Sequence, residues 1–197
     1  RDLDELLQQV TNLISDRFDY YHVGIFLLDL TGENAVLRAS NSIGGRRMME
    51  RGHALAVGQK GIVGYVTGNR EPRIAMDVGQ DAVFFDNPDL PATRSEMALP
   101  LKTGGLVIGA LDVQSKQPGA FDEGDVNILQ TMADQLAVAI ANARLFERLS
   151  IKLDLNAVEV LEIVHGILQR SFDKLHDCRV RQRNADFGFQ VPIGRNI

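Results

Sequence analysis

The chain has 197 residues, of which 45% are hydrophobic and 24% charged, with no tryptophan and a formal net charge of -5. That length suits one well-buried domain plus an extension and is short for two. The acidic balance offers a polyanion no electrostatic footprint, which excludes nucleic acid as a partner of the whole domain. No apolar run approaches the roughly 20 residues that span a bilayer, so no membrane contact is expected. Cys178 is the single cysteine; it excludes an internal disulfide, a thiolate zinc cluster and a two-cysteine redox couple, and points to a reducing, cytoplasmic compartment. The chain opens on Arg1 rather than methionine and is read as a piece of a longer protein.

In chain order, residues 3–18 place Leu3, Leu6, Leu7, Val10, Leu13, Ile14 and Phe18 at helical spacing, predicting an amphipathic helix. The run HVGIFLLDL from His22 is apolar on both alternations and predicts a strand buried on two sides. A turn at 31–34 leads into AVLRAS, closing a short hairpin. Residues 46–52 suit a helix, HALAV from His53 a strand, GIVGYV from Gly61 a short helix, and RIAM from Arg73 a strand. Residues 77–95, rich in Asp, Pro and Gly, are too long for an ordinary connection and predict a functional or disordered loop.

The stretch SEMALPLKTGGLVIGALDVQSK then predicts two strands joined by a tight turn at Gly104-Gly105. From that turn, Met97, Leu99 and Leu101 should share one face with Ile108 and Ala110. Ala98 should share the other with Val107, Leu111 and Val113. The hairpin therefore lacks a wet face, and something must cover both sides. At Asp122 a helix is signposted by an N-cap with Asp125 three residues on, and by Phe121 and Val126 at staple spacing. Its apolar positions step by three and four from Leu129 to Ile167, without glycine or proline between Asp125 and His165, about 60 Å of helix. The first half is expected to pack on its own sheet and the second half on a partner chain.

The run ALPL…G.LVIGALDVQS…F…D…L…A.Q.A.AI.NA.LF, with GIVGYV and RIAMDV before it, resembles a GAF domain of the kind repeated in bacterial sensor histidine kinases. The resemblance covers roughly residues 1–150. It implies an α+β fold: a six-stranded antiparallel sheet, a helical bundle on one face, a pocket-forming segment on the other, and a long C-terminal helix. The domain plan is then 1–150 sensory domain, 151–176 helical, coiled-coil-like extension, and 177–197 linker or start of a following domain. The resemblance implies a pocket lined by Gly61, Ile74, Met76, Asp77, Phe84, Phe85, Thr93, Arg94 and Met97. There a helix start at Gly61 could offer N–H groups, Arg94 could pair an anion and the phenylalanines could stack on a ring. The same residues could instead fill a closed core. It also implies a parallel homodimer along Leu136, Ala139, Ala143, Phe146, Leu153, Val160 and Val164.

Against the signature of cyclic-nucleotide-binding members, the corresponding positions read Ser115, Lys116, Phe121, Asp125 and Val126, and two of the five differ. No covalent bilin is expected, since residues 1–150 hold no cysteine, and the same absence argues against a cysteine-dependent reductase. Haem through His22 or His53 is not expected, because a lone histidine beside a strand is ordinary. No metal site and no catalytic residues are picked out by spacing. His165 reads as a helix-end residue, and His176 only faintly resembles a phosphorylated histidine. The expectation is a sensory, small-molecule-binding and dimerising module of a two-component signalling protein, its ligand unidentified and the fragment not itself an enzyme. The alternative is a ligand-free dimerising spacer.

Overall fold

The computed structural model of the chain describes residues 2–59, 61–81, 83–153, 166, 169 and 170. The elements are α1 (Asp2–Phe18), β1 (His22–Leu28), β2 (Asn34–Ser40), α2 (Ile43–Glu50), β3 (Ala54–Ala56), α3 (Gly61–Asn69), β4 (Arg73–Ala75), a 3-10 turn (Val78–Gln80), β5 (Ser95–Thr103), β6 (Leu106–Ser115) and α4 (Glu123–Leu153). They form an α+β domain around one six-stranded sheet in the order β3-β2-β1-β6-β5-β4, antiparallel at every pairing. The sequence places α2 three residues too late at its start and carries β3 two residues beyond its three-residue length.

One sheet face carries Val23, Ile25, Leu27, Met97, Leu99, Leu101, Leu111 and Val113, all buried. Leu6, Leu7, Val10 and Ile14 of α1 and Leu129, Met132, Leu136 and Ile140 of α4 close over it. Each fully buried leucine or isoleucine contributes about 1.5–3 kcal/mol, so this layer holds most of the hydrophobic stabilisation. The opposite face carries Phe26, Ala35, Leu37, Ala75, Ala98 and Ala110, covered by Met48 of α2, by Ile62, Val63 and Val66 of α3, and by Val78 and Leu90. Residues 45–95 are therefore the second cover that the hairpin requires.

The central hairpin corrects the expected faces. Gly104 and Gly105 take positive φ of 56° and 79°, as the turn requires. Near the turn Thr103 pairs with Leu106 and Lys102 with Val107, but the register then shifts, so that Leu101 faces Gly109 and Leu99 faces Leu111. One extra residue in β6 reverses its side-chain parity. Leu111 and Val113 join Met97, Leu99 and Leu101 on the helix side, while Ala110 turns to the other side with Ala98. Asp112 and Gln114 travel with Ala110. Gly109 belongs to this device, because a Cβ there would sit 2.0 Å from the Phe26 carbonyl oxygen of β1. Only glycine lets β6 lie so close.

The start of α4 matches its expected cap. Asp125 N–H donates to Asp122 Oδ1 at 2.8 Å, and Asp122 N–H donates back to Asp125 Oδ2 at 3.1 Å, a reciprocal box with Asp in place of the usual Glu. The first positions of the expected dimer seam sit inside the domain. Leu136 and Ala139 are 1% and 4% exposed inside the domain's own core, because the inward stripe of α4 leans on β5. Ala143 is half-buried and Phe146 is 37% exposed. The side chain of Leu153, and Val160, Val164, His165, His176 and 177–197 altogether, lie outside the described residues.

Candidate functional site

Register across β1, β6 and β5 builds a polar floor on the α3 side of the sheet. His22 pairs with Gln114 and Gln114 with Glu96, making one row of three polar side chains. The next row is Gly24, Asp112 and Ala98. The side chains of His22, Leu37 and Phe26 close over Gly24, reaching to within 3.0–3.3 Å of where a Cβ would stand. All four polar groups are buried: His22 0%, Asp112 2%, Glu96 6% and Gln114 7% exposed.

Above the floor, Met48 of α2, Gly61, Ile62 and Val63 at the start of α3, and Phe84, Phe85, Asn87, Leu90 and Thr93 of the 77–94 strap enclose a recess. The recess spans about 430 Å³ up to and including its mouth, but only about 30 Å³ admits the centre of a water molecule, room for about two waters. The strap is tied at each end. Val78 N–H donates to the Arg94 carbonyl at 2.9 Å, and Arg94 N–H to the Ser115 carbonyl at 2.8 Å. Arg73 Nη2 reaches both oxygens of Asp81 at 2.9 Å, while Arg51 and Arg47 pair with Asp89.

The floor is wired as a chain. The Thr93 hydroxyl donates to Gln114 Oε1 at 2.6 Å, and Gln114 Nε2 donates to Asp112 Oδ2 at 2.7 Å. Glu96 hydrogen-bonds the same Asp112 carboxyl. Burial, then the Asp112 charge, holds Glu96 well above the usual carboxylate range. Burial pushes Asp112 up to about 7 against the hydrogen bonds from Gln114 and Glu96, which pull it down. Two carboxyls this close and this dry do not both ionise near neutral pH, so the pair holds a proton.

His22 Nδ1 lies 2.7 Å from Ser42 Oγ and 3.3 Å from Ser40 Oγ. Both hydroxyl oxygens already accept a backbone N–H, from Gly45 and from Ser42. A hydroxyl oxygen keeps a second lone pair beside its own proton, so either ring nitrogen can carry the hydrogen. Burial, reinforced by His53, lowers His22 to about 3, so the ring is neutral. Its Nε2 stands 3.7 Å from Asp112 Oδ2, beyond hydrogen-bond reach. His22 Nε2 and Asp112 Oδ1 have no hydrogen-bond partner in the protein.

Of the residues assigned to a pocket from sequence, Gly61, Phe84, Phe85 and Thr93 line this recess. Met97 and Ile74 lie instead on the helix side of the sheet, with the α1/α4 core. Met76 is 48% exposed, Asp77 caps the 3-10 turn, and Arg94 is half-exposed with its guanidinium 3.9 Å from Asp77. The polar floor itself was missed: His22, Glu96, Asp112 and Gln114. Its signal was in plain sight, polar residues two apart inside an otherwise apolar strand, but their face depends on the bulge.

The antiparallel sheet is thus covered on both faces, with a polar recess under a tied strap. The family model described as GAF domain matches residues 1–141, and the chain belongs to the GAF domain family, small-molecule-binding and signalling modules. The chain is 26% identical over 185 residues to the dual 3',5'-cyclic-AMP and -GMP phosphodiesterase 11A of Takifugu rubripes, covering 87% of this chain but 20% of that protein. It is 28% identical over 123 residues to GAF domain-containing protein A of Dictyostelium discoideum, covering 62% of this chain and 72% of that one. Among solved structures, the GAF domain from an Acinetobacter phosphoenolpyruvate-protein phosphotransferase superposes with a TM-score of 0.62 at 26% identity, over 74% of this chain and 86% of that one. Among the described residues, no helix is long and apolar enough to cross a membrane.

Proposed function

We propose that this chain is the sensory or regulatory module of a larger bacterial signalling protein, binding a small molecule under the 77–94 strap and pairing with a second copy through α4 and the helix beyond it. The observation that carries the reading is the buried polar floor. A domain that only fills space has no use for two protonation-linked carboxyls and a neutral histidine left facing a recess. Occupancy would shift the strap, and the strap contacts α2, α3 and β4, so the ligand has a route to bias the domain's packing. The sensor histidine kinase as parent, and the cytoplasm as its place, rest on the sequence resemblance alone. The phosphodiesterase relative acts on cyclic nucleotides by its name, but this recess has no room for a nucleotide unless the strap lifts. The module is read as having no chemistry of its own.

The small free volume favours a second reading, a ligand-free dimerising spacer. Native mass spectrometry of the protein purified from its own host separates them. A dimer with a reproducible extra mass supports the sensor; a dimer with none supports the spacer; a monomer removes the helix-mediated assembly from both.

A further inference from the structure

The floor of the recess also says which chemistry it accepts. Asp112 Oδ1 is buried and has no hydrogen-bond partner in the protein. Glu96 lies beside it, and both carboxyls are at least nine-tenths buried. Among the described residues, the charged or titratable groups around the pair are His22 from β1, His53 ahead of β3, Glu96 from β5 and Asp81 from the strap. Arg73, the nearest strap-binding cation, is engaged by Asp81, and Arg94 sits at the surface with Asp77. Among the described residues no lysine or arginine lines the recess, so an anion there would meet two carboxyls in a poorly screening interior. A metal ion is disfavoured as well, since no group of three or more His, Cys, Asp or Glu side chains is arranged to hold one among the described residues.

We propose that the pocket's ligand presents a compact cationic donor, a primary ammonium or an amidinium, to Asp112 and Glu96, and that the cation replaces the proton held between them. The inference rests on the reading of the recess as a ligand pocket. Asp112 and Glu96 both line the recess, and its free volume is that of a head group rather than a whole ligand. The rest of the molecule would lie toward Phe84 and Phe85 at the mouth, past the unpartnered His22 Nε2. Binding exchanges one cation for one proton, so charge balances: the N–H groups of the ligand donate to the carboxylate, and the carboxyl proton leaves to solvent.

The test is a protein-observed NMR titration with three probes of one size, ethylammonium, ethanol and acetate, at about pH 8 and about pH 6. The expected result is ethylammonium binding in roughly the millimolar range of so small a probe, tighter than ethanol or acetate by about tenfold or more. Its affinity should fall as pH drops, and calorimetry in buffers of differing ionisation enthalpy should show proton release. Asp112→Asn should lose the binding by about tenfold while keeping the native spectrum, and Glu96→Gln serves if the first variant does not fold. Equal or better binding of ethanol or acetate in the recess overturns the cation and leaves the pocket reading standing. If ethylammonium binding ignores pH or survives both variants, the inference is likewise overturned. No binding by any probe, together with no retained mass in the purified protein, removes both.

Discussion

The two faces of one sheet differ in how completely they are finished. On the α1/α4 side, large aliphatic side chains from three central strands interlock with two helices, and Leu7, Ile25, Leu99, Leu111 and Leu129 are all at or below 1% exposure. On the α3 side, the same strands present alanine, glycine and a row of polar groups, and the cover is shorter helices and an irregular strap. A face filled to interior density resists change and transmits strain. The other face is floored with alanines and carboxyls and lies under a strap tied by ion pairs. The helix side carries the close packing, and the strap side carries the polar recess.

Substitutions that probe this contrast fall in a clear order. Leu111→Ala should cost about 2–5 kcal/mol, read as a shift of the urea midpoint; a loss below about 1 kcal/mol would mean that the helix-side layer is not close-packed. Gly109→Ala should cost about 1–3 kcal/mol or more, since the new methyl meets the Phe26 carbonyl, and its damage should extend to the pocket by unsettling the bulge. If the variant unfolds at the wild-type midpoint, the parity switch does not depend on that close approach.

Asp112→Asn reverses the sign of these effects at high pH. The carboxyl is raised from 3.8 to about 7 in the fold, so its favourable contribution is fully present below 3.8 and lost as pH rises through about 7. The variant should therefore match the wild type in acid and melt higher above neutrality, by about 3 °C or more. Thermal melts across the pH range check it, and a variant that melts lower above neutrality would contradict the buried charge. His22 runs in the other direction: lowered from 6.5 to about 3, it supports the fold above 6.5 and withdraws that support as pH falls toward 3.

Asp122→Ala removes the cap of α4 and should cost about 1 kcal/mol, with faster amide exchange confined to the first turn. The smallest change in stability, within about 0.5 kcal/mol, is expected for Leu145→Glu combined with Phe146→Glu, whose side chains are 54% and 37% exposed. If α4 pairs with a second copy, light scattering should nevertheless show that double variant to be half the wild-type mass. An unchanged mass would place the self-association elsewhere.

Much of this molecule was legible in its sequence because helices, strands and caps are local. The spacing of Leu6, Val10 and Ile14, the Gly104-Gly105 turn and the Asp122/Asp125 box each depend on residues within a few positions, and each formed where the pattern placed it. The family resemblance and its six-stranded sheet were also readable, from a run of residues spanning both central strands and α4. Tertiary structure decided the rest. The face of Asp112 and Gln114 turned on one extra residue in β6, a shift accommodated by Gly109 lying against the Phe26 carbonyl on a strand more than eighty residues earlier. Likewise the inward stripe of α4 has the same period whether it meets a sheet or a partner helix, and only the sheet's presence consigned Leu136 and Ala139 to the domain's own core. Periodicity tells which residues share a face; what that face meets is set by contacts distant in sequence.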